Sequence, residues 1–134
     1  AVATDPDRLP LLFNCTAGKD RTGFVAGVLL RLLGVDEHTA LDDYLLSNVV
    51  RHDWIAEREA EHRHLIAERL GLRPDEVPEE RLEASRSLLK CDRRFMKAAF
   101  DAVRDAWGSW EAFRRDGLSL DDDRFAAYRD ALLV

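Results

Sequence analysis

Residues Leu9 to Leu30 read "LPLLFNCTAGKDRTGFVAGVLL", with a cysteine and an arginine at the two ends of one short loop. Leu9 to Phe13 is a short apolar run with Pro10 near its start, and it reads as a buried strand ending at Asn14. From about Thr22 to Leu33 the residues Phe24, Val25, Val28, Leu29, Leu32 and Leu33 recur at three- and four-residue spacing. That period predicts a helix, with Gly34 as its C-terminal stop. Cys15 to Arg21 connects the two.

A strand, a glycine-containing loop and a helix N-terminus together make an anion site. The first N–H groups of a helix lack intrahelical partners, and the positive end of its dipole faces the loop. Successive loop N–H groups can wrap a tetrahedral oxyanion. Arg21 can add two parallel hydrogen bonds to a phosphate. The same field lowers the pKa of the Cys15 thiol, giving a thiolate nucleophile at neutral pH. The five residues between Cys15 and Arg21 are enough to encircle a phosphate and leave the sulfur on one face. Thr22 can donate to that sulfur as it leaves, and Asp20 is the nearest general acid. A nucleotide-binding loop of the Gly-x4-Gly-Lys-Ser/Thr type is excluded, because Phe13 and Asp20 occupy its first glycine and its hydroxyl position.

The 134 residues are enough for one domain with a real core. A net charge of −6 argues against nucleic acid or an anionic membrane as the main partner. No apolar run approaches the roughly 18–20 residues of a membrane span. The opening "AVATDPDRLP" lacks the basic and long apolar regions of a signal peptide. Two cysteines are too few for a disulfide framework, so a reducing cytoplasm is the default location, with secretion without a recognisable signal peptide as the alternative. No Cys-x2-Cys pair points to zinc, and His62 and His64 diverge by ~200° on a helix, so no metal or other cofactor is expected. Cys91 reads either as an ordinary helix-start cysteine or as a resolving thiol for Cys15.

The rest of the chain reads as helical. Asp36 caps a helix to about Ser47, a charged helix runs from about His52 to Leu70 and closes at Gly71, and another spans Glu79 to Leu88. Phe95, Met96, Ala99, Phe100, Val103, Ala106 and Trp107 stripe a further helix. "GSWEAFRRDG" is a short one between glycines, and Ser119 with Asp122 reads as a capping box before the last. A lone strand among helices cannot satisfy its backbone, so pairing with a second copy through the exposed strand edge is one option.

"NCTAGKDRTG" resembles the His-Cys-x5-Arg signature of protein tyrosine phosphatases, and "AGKDRTG" is similar to the bacterial tyrosine and phosphoinositide phosphatases of the mycobacterial PtpB-like group. "DYLLSN" (Asp43–Asn48) and "WGSWEAFRRDGLS" (Trp107–Ser119) resemble that group's C-terminal half. The resemblance implies an α/β tyrosine-phosphatase fold, here its C-terminal portion: mostly helical, with one strand before the phosphate loop. It implies residues 1–134 as a single, N-terminally truncated phosphatase domain, with a helical lid at about 49–88. Cys15 is then the nucleophile and Arg21 the phosphate clamp, and backbone amides of Thr16, Ala17, Gly18, Lys19, Asp20 and Arg21 form the cradle. Lys19 would favour highly anionic phosphoinositide heads, Asp20 would contribute acid chemistry, and Thr22 would assist thiolate departure. Arg58, Arg63 or Arg69 on the lid would recruit an anionic substrate. The implied substrates are phosphotyrosine proteins or phosphoinositides. Asn14 stands where the family has histidine, which depresses the thiol less, and Asp5 and Asp7 are too close to the loop to form a separate acid loop. The alternative is a phosphate-binding, inactive module.

Overall fold

A computed structural model describes residues 5–133 of the chain. The reading of a leader-free N-terminus bears in part on residues 1–4, which lie outside the described residues. A 3₁₀ turn, Pro6–Arg8, precedes an irregular segment that reaches the loop at Cys15. Then come α1 (Asp20–Leu32), α2 (Glu37–Val50), α3 (His52–Leu70), a 3₁₀ turn at Pro74–Glu76, α4 (Glu79–Leu89) and α5 (Arg93–Trp107). The short α6 (Trp110–Ala112) runs into a π turn, Phe113–Gly117, and α7 (Asp122–Leu132) ends the described chain.

The expected α/β organisation needs correction: no strand occurs among the described residues, and the architecture is helical. Residues 11–15 have no regular secondary structure and belong to no sheet, and Leu12 is 91% exposed, the opposite of a buried strand position. An apolar run becomes a strand only when a second segment completes its hydrogen-bond ladder, and none does so among the described residues. Dimerisation through a strand edge loses its basis with the strand.

The helices follow their local signals closely. Asp36 caps α2 by accepting from the Thr39 N–H at 3.0 Å, and Gly71 ends α3 in the left-handed region at φ 67°. The cap of α7 is Asp121, accepting from Arg124 N–H at 2.9 Å, and not Ser119, which sits at φ 52° in the preceding turn. α1 starts at Asp20, two residues earlier than its apolar period indicates, and so draws the end of the loop into its first turn.

The main core lies where α1, α2 and α5 meet, around Ala40, Leu41, Tyr44, Cys91, Met96 and Phe100. Gly23 and Gly27 let α1 approach this core. A Cβ at Gly23 would stand 2.6 Å from the Tyr44 ring, and one at Gly27 would stand 2.9 Å from Phe100. A second cluster, Ala67, Val77 and Leu82, joins α3 to α4. Trp110 meets Phe100 edge-on at 5.2 Å, and buried Arg114 donates to the Leu120 carbonyl at 2.6 Å, so the "WGSWEAFRRDGLS" stretch ties α5 to the C-terminal turn.

Candidate active site

The loop leaves the irregular segment at Cys15 and enters α1 at Asp20. Gly18, at φ 65°, takes the left-handed conformation that lets the backbone curl between them. Arg21, in the first turn of α1, reaches back and donates from Nη2 to Thr16 Oγ1 at 3.1 Å. The guanidinium thus closes the loop, exposed to solvent at the positive end of the α1 dipole.

The half-buried Cys15 thiol is held well below its ordinary value of 9.0, at about 6. The Thr22 hydroxyl contributes most, followed by the Thr22 backbone N–H, with smaller help from Gly18 and Ala17 N–H groups. Thr22 Oγ1 is buried and has no formed hydrogen bond in this geometry. It lies where it can donate to the Cys15 sulfur. Near neutral pH the thiolate form predominates.

Lys19 does not share the exposure of Arg21. It is 4% exposed, and its ammonium donates to the Lys90 carbonyl at 3.0 Å and lies 3.4 Å from Asp20 Oδ1. Asp20 also accepts from the Tyr44 hydroxyl at 3.4 Å, a long contact, so two side chains converge on one carboxylate oxygen. Burial, together with the adjacent Cys91 thiol and the Asp20 carboxylate, raises the Tyr44 hydroxyl well above its ordinary value and keeps it a neutral donor.

Behind the loop, Asn48 grips the turn between α4 and α5. Its Nδ2 donates to the Cys91 carbonyl at 2.8 Å, and its Oδ1 accepts from the Cys91 N–H at 2.7 Å. Lys90 Nζ meets Glu59 of α3 at 2.6 Å. Cys15 and Cys91 are both free thiols. Of the three arginines expected to recruit substrate, Arg58 pairs with Glu61 and Arg63 with Glu79, each at 2.7 Å, while Arg69 lines a groove with His62 and Ser85.

The loop residues Cys15, Thr16, Ala17, Gly18, Lys19, Asp20, Arg21 and Thr22 are thus gathered around one turn of backbone, with the Lys19 side chain directed into the protein. Sequence reasoning did not assign Tyr44, Asn48 or Lys90 to the site. A signal existed for the first two: their four-residue spacing within "DYLLSN" puts both on one face of α2. Lys90 acts through its main chain, which no residue type reveals.

A loop of this build has the shape and charge to hold a tetrahedral anion between its thiol and its guanidinium. The model of the tyrosine phosphatase family matches residues 1–134, and the chain belongs to that family. It is 36% identical over 114 residues to a Cupriavidus necator protein whose name places it among tyrosine-protein phosphatases, covering 83% of this chain and 36% of the relative. It is 32% identical over 109 residues to the triple specificity protein phosphatase PtpB of Mycobacterium tuberculosis, covering 80% of this chain and 38% of PtpB. A tyrosine-protein phosphatase of Nostoc commune shares 54% identity over 37 residues, which cover 28% of this chain and 13% of that relative. The chain spans little more than a third of the length of the first two relatives.

Proposed function

We propose that this chain supplies the nucleophile and phosphate cradle of a cysteine-dependent phosphatase that hydrolyses phosphate monoesters through a phospho-cysteine intermediate. The observation that carries the reading is the Cys15 thiol, held at about 6 at one end of a loop that Arg21 closes from the other. The thiolate attacks phosphorus, the ester P–O bond breaks, and the leaving oxygen takes a proton from Asp20. Water then gives a proton to the Asp20 carboxylate and attacks the phospho-cysteine. The S–P bond breaks toward sulfur, and Thr22 donates to the departing thiolate. Loop N–H groups and Arg21 carry the charge on the non-bridging oxygens throughout.

Phosphotyrosine in proteins is the substrate class that best fits the relatives' names, and phosphoinositide head groups are the second to be assayed. Residues 49–88 form the proposed lid. Supporting this, α3 and α4 hold together as a hairpin through Val77, Leu82 and the Arg63–Glu79 and Arg86–Glu59 pairs.

The test is hydrolysis of para-nitrophenyl phosphate by the chain and by Cys15→Ser. Turnover lost in Cys15→Ser supports the nucleophile, and turnover that persists removes it. A wild-type chain that binds vanadate through Arg21 yet turns nothing over is instead a phosphate-binding module.

A further inference from the structure

We propose that Lys19 is a positioning residue, which anchors the phosphate loop to the turn between α4 and α5 and does not touch substrate. The proposal rests on the phosphatase reading of the loop. Lys19 sits between left-handed Gly18 and the first residue of α1, so its backbone is part of the cradle. Its side chain runs inward and is 4% exposed, and the ammonium is hydrogen-bonded at 3.0 Å to the carbonyl of Lys90, the C-terminal cap of α4. That carbonyl has no partner within its own helix, and the C-terminal end of α4 carries the negative pole of its dipole. A cation there is doubly favoured. A Lys19 that swung out to a substrate would leave the Lys90 carbonyl unpaired.

The anchor continues outward. Lys90 Nζ pairs with Glu59 at 2.6 Å, and the next residue, Cys91, is gripped by Asn48. Lys19 therefore fixes the loop to a turn that α2 and α3 also hold. It holds Asp20 as well, across 3.4 Å. Loss of the anchor frees the loop's apex, which degrades the aim of the cradle N–H groups at both the phosphate and the sulfur.

Lys19→Met, Lys19→Arg and the wild type are compared on para-nitrophenyl phosphate and on an inositol polyphosphate, with the pH dependence of Cys15 alkylation by iodoacetamide read by mass spectrometry. In Lys19→Met, kcat falls about tenfold to a hundredfold on both substrates with KM unchanged. The alkylation midpoint rises from about 6, and Lys19→Arg recovers part of both. A rise in KM confined to the inositol polyphosphate, with wild-type kcat and alkylation, overturns the proposal. Should Lys19→Met fail to fold, the wild-type Lys19 ammonium resonance decides. A signal protected from exchange and unmoved by inositol hexakisphosphate supports the anchor, and one that shifts overturns it. Alkylation and the ammonium signal need no turnover, so they report on Lys19 even if the phosphatase reading fails.

Discussion

On the proposed mechanism the Thr22 hydroxyl serves two steps. Buried and without a formed hydrogen bond, it lies where it can donate to the Cys15 sulfur. Each protonation state of sulfur then has a different energy at the same position. Because the folded thiol lies below its ordinary value, the nucleophile is present above about pH 6 and is lost as pH falls through that value. Thr22→Ala removes the largest contribution, so the midpoint of Cys15 alkylation moves up toward 9.0, and the acid limb of the rate profile moves with it. Turnover at pH 6 falls more than at pH 9, whereas a merely disordered loop would lose both alike. Thr22→Ser restores the profile. At this scale the loop that sets Cys15 at one end and Arg21 at the other was legible from their spacing. The inward turn of Lys19 was not, because a charged residue beside a loop reads as solvated until the carbonyl that holds it is located.

At the scale of elements, close approach and cross-links decide which helices move together. Alanine at Gly23 gains about 1 kcal/mol of helix propensity, but overpacking against a buried ring costs about 1–3 kcal/mol. With the added Cβ at 2.6 Å from Tyr44, overpacking wins. Gly23→Ala lowers the urea midpoint, and because Tyr44 is displaced it also disturbs Asp20. The α3–α4 hairpin separates charge from packing. Arg86 bridges Glu59 and Glu79 near solvent, so Arg86→Ala costs at most about 1 kcal/mol and less in high salt. Leu82 is 2% exposed, and Leu82→Ala costs about 2–5 kcal/mol whatever the salt. Equal effects of the two substitutions in urea titrations would show that charge holds the hairpin. The ends of α3 and the cap of α2 were legible because Gly71 and Asp36 act within their own turns. Pairing on α3 was not: Glu59 and Arg63 suggest an i,i+4 contact, yet Glu59 turns to Lys90 and Arg86, and Arg63 turns to Glu79. The segment before Cys15 failed as a strand for a related reason, since a ladder is a property of two segments and an apolar run describes one.

At the scale of the whole molecule, the hairpin cluster of Ala67, Val77 and Leu82 is smaller than the main core and shares no buried residue with it. The hairpin reaches the rest through the α2–α3 connection and through the turn at Lys90 and Cys91, which Asn48 and Lys19 secure. With a small buried cluster of its own, the hairpin is expected to open as a unit at lower free energy than the main core. Asn48 is the strongest point of attachment, since one amide satisfies both main-chain groups of buried Cys91. Asn48→Ala leaves a donor and an acceptor unpaired, at about 1–3 kcal/mol for each buried group. Native-state hydrogen exchange checks this: amides of α3 and α4 lose protection by more than those of α1 and α5, and Asn48→Asp, which keeps the acceptor but not the donor, falls between. Uniform loss across all helices would mean that the chain unfolds only as a whole and that hairpin and loop are parts of one cooperative unit. A selective loss joined to a rise in the Cys15 alkylation midpoint would show that the hairpin's attachment sets the reactivity of the thiol.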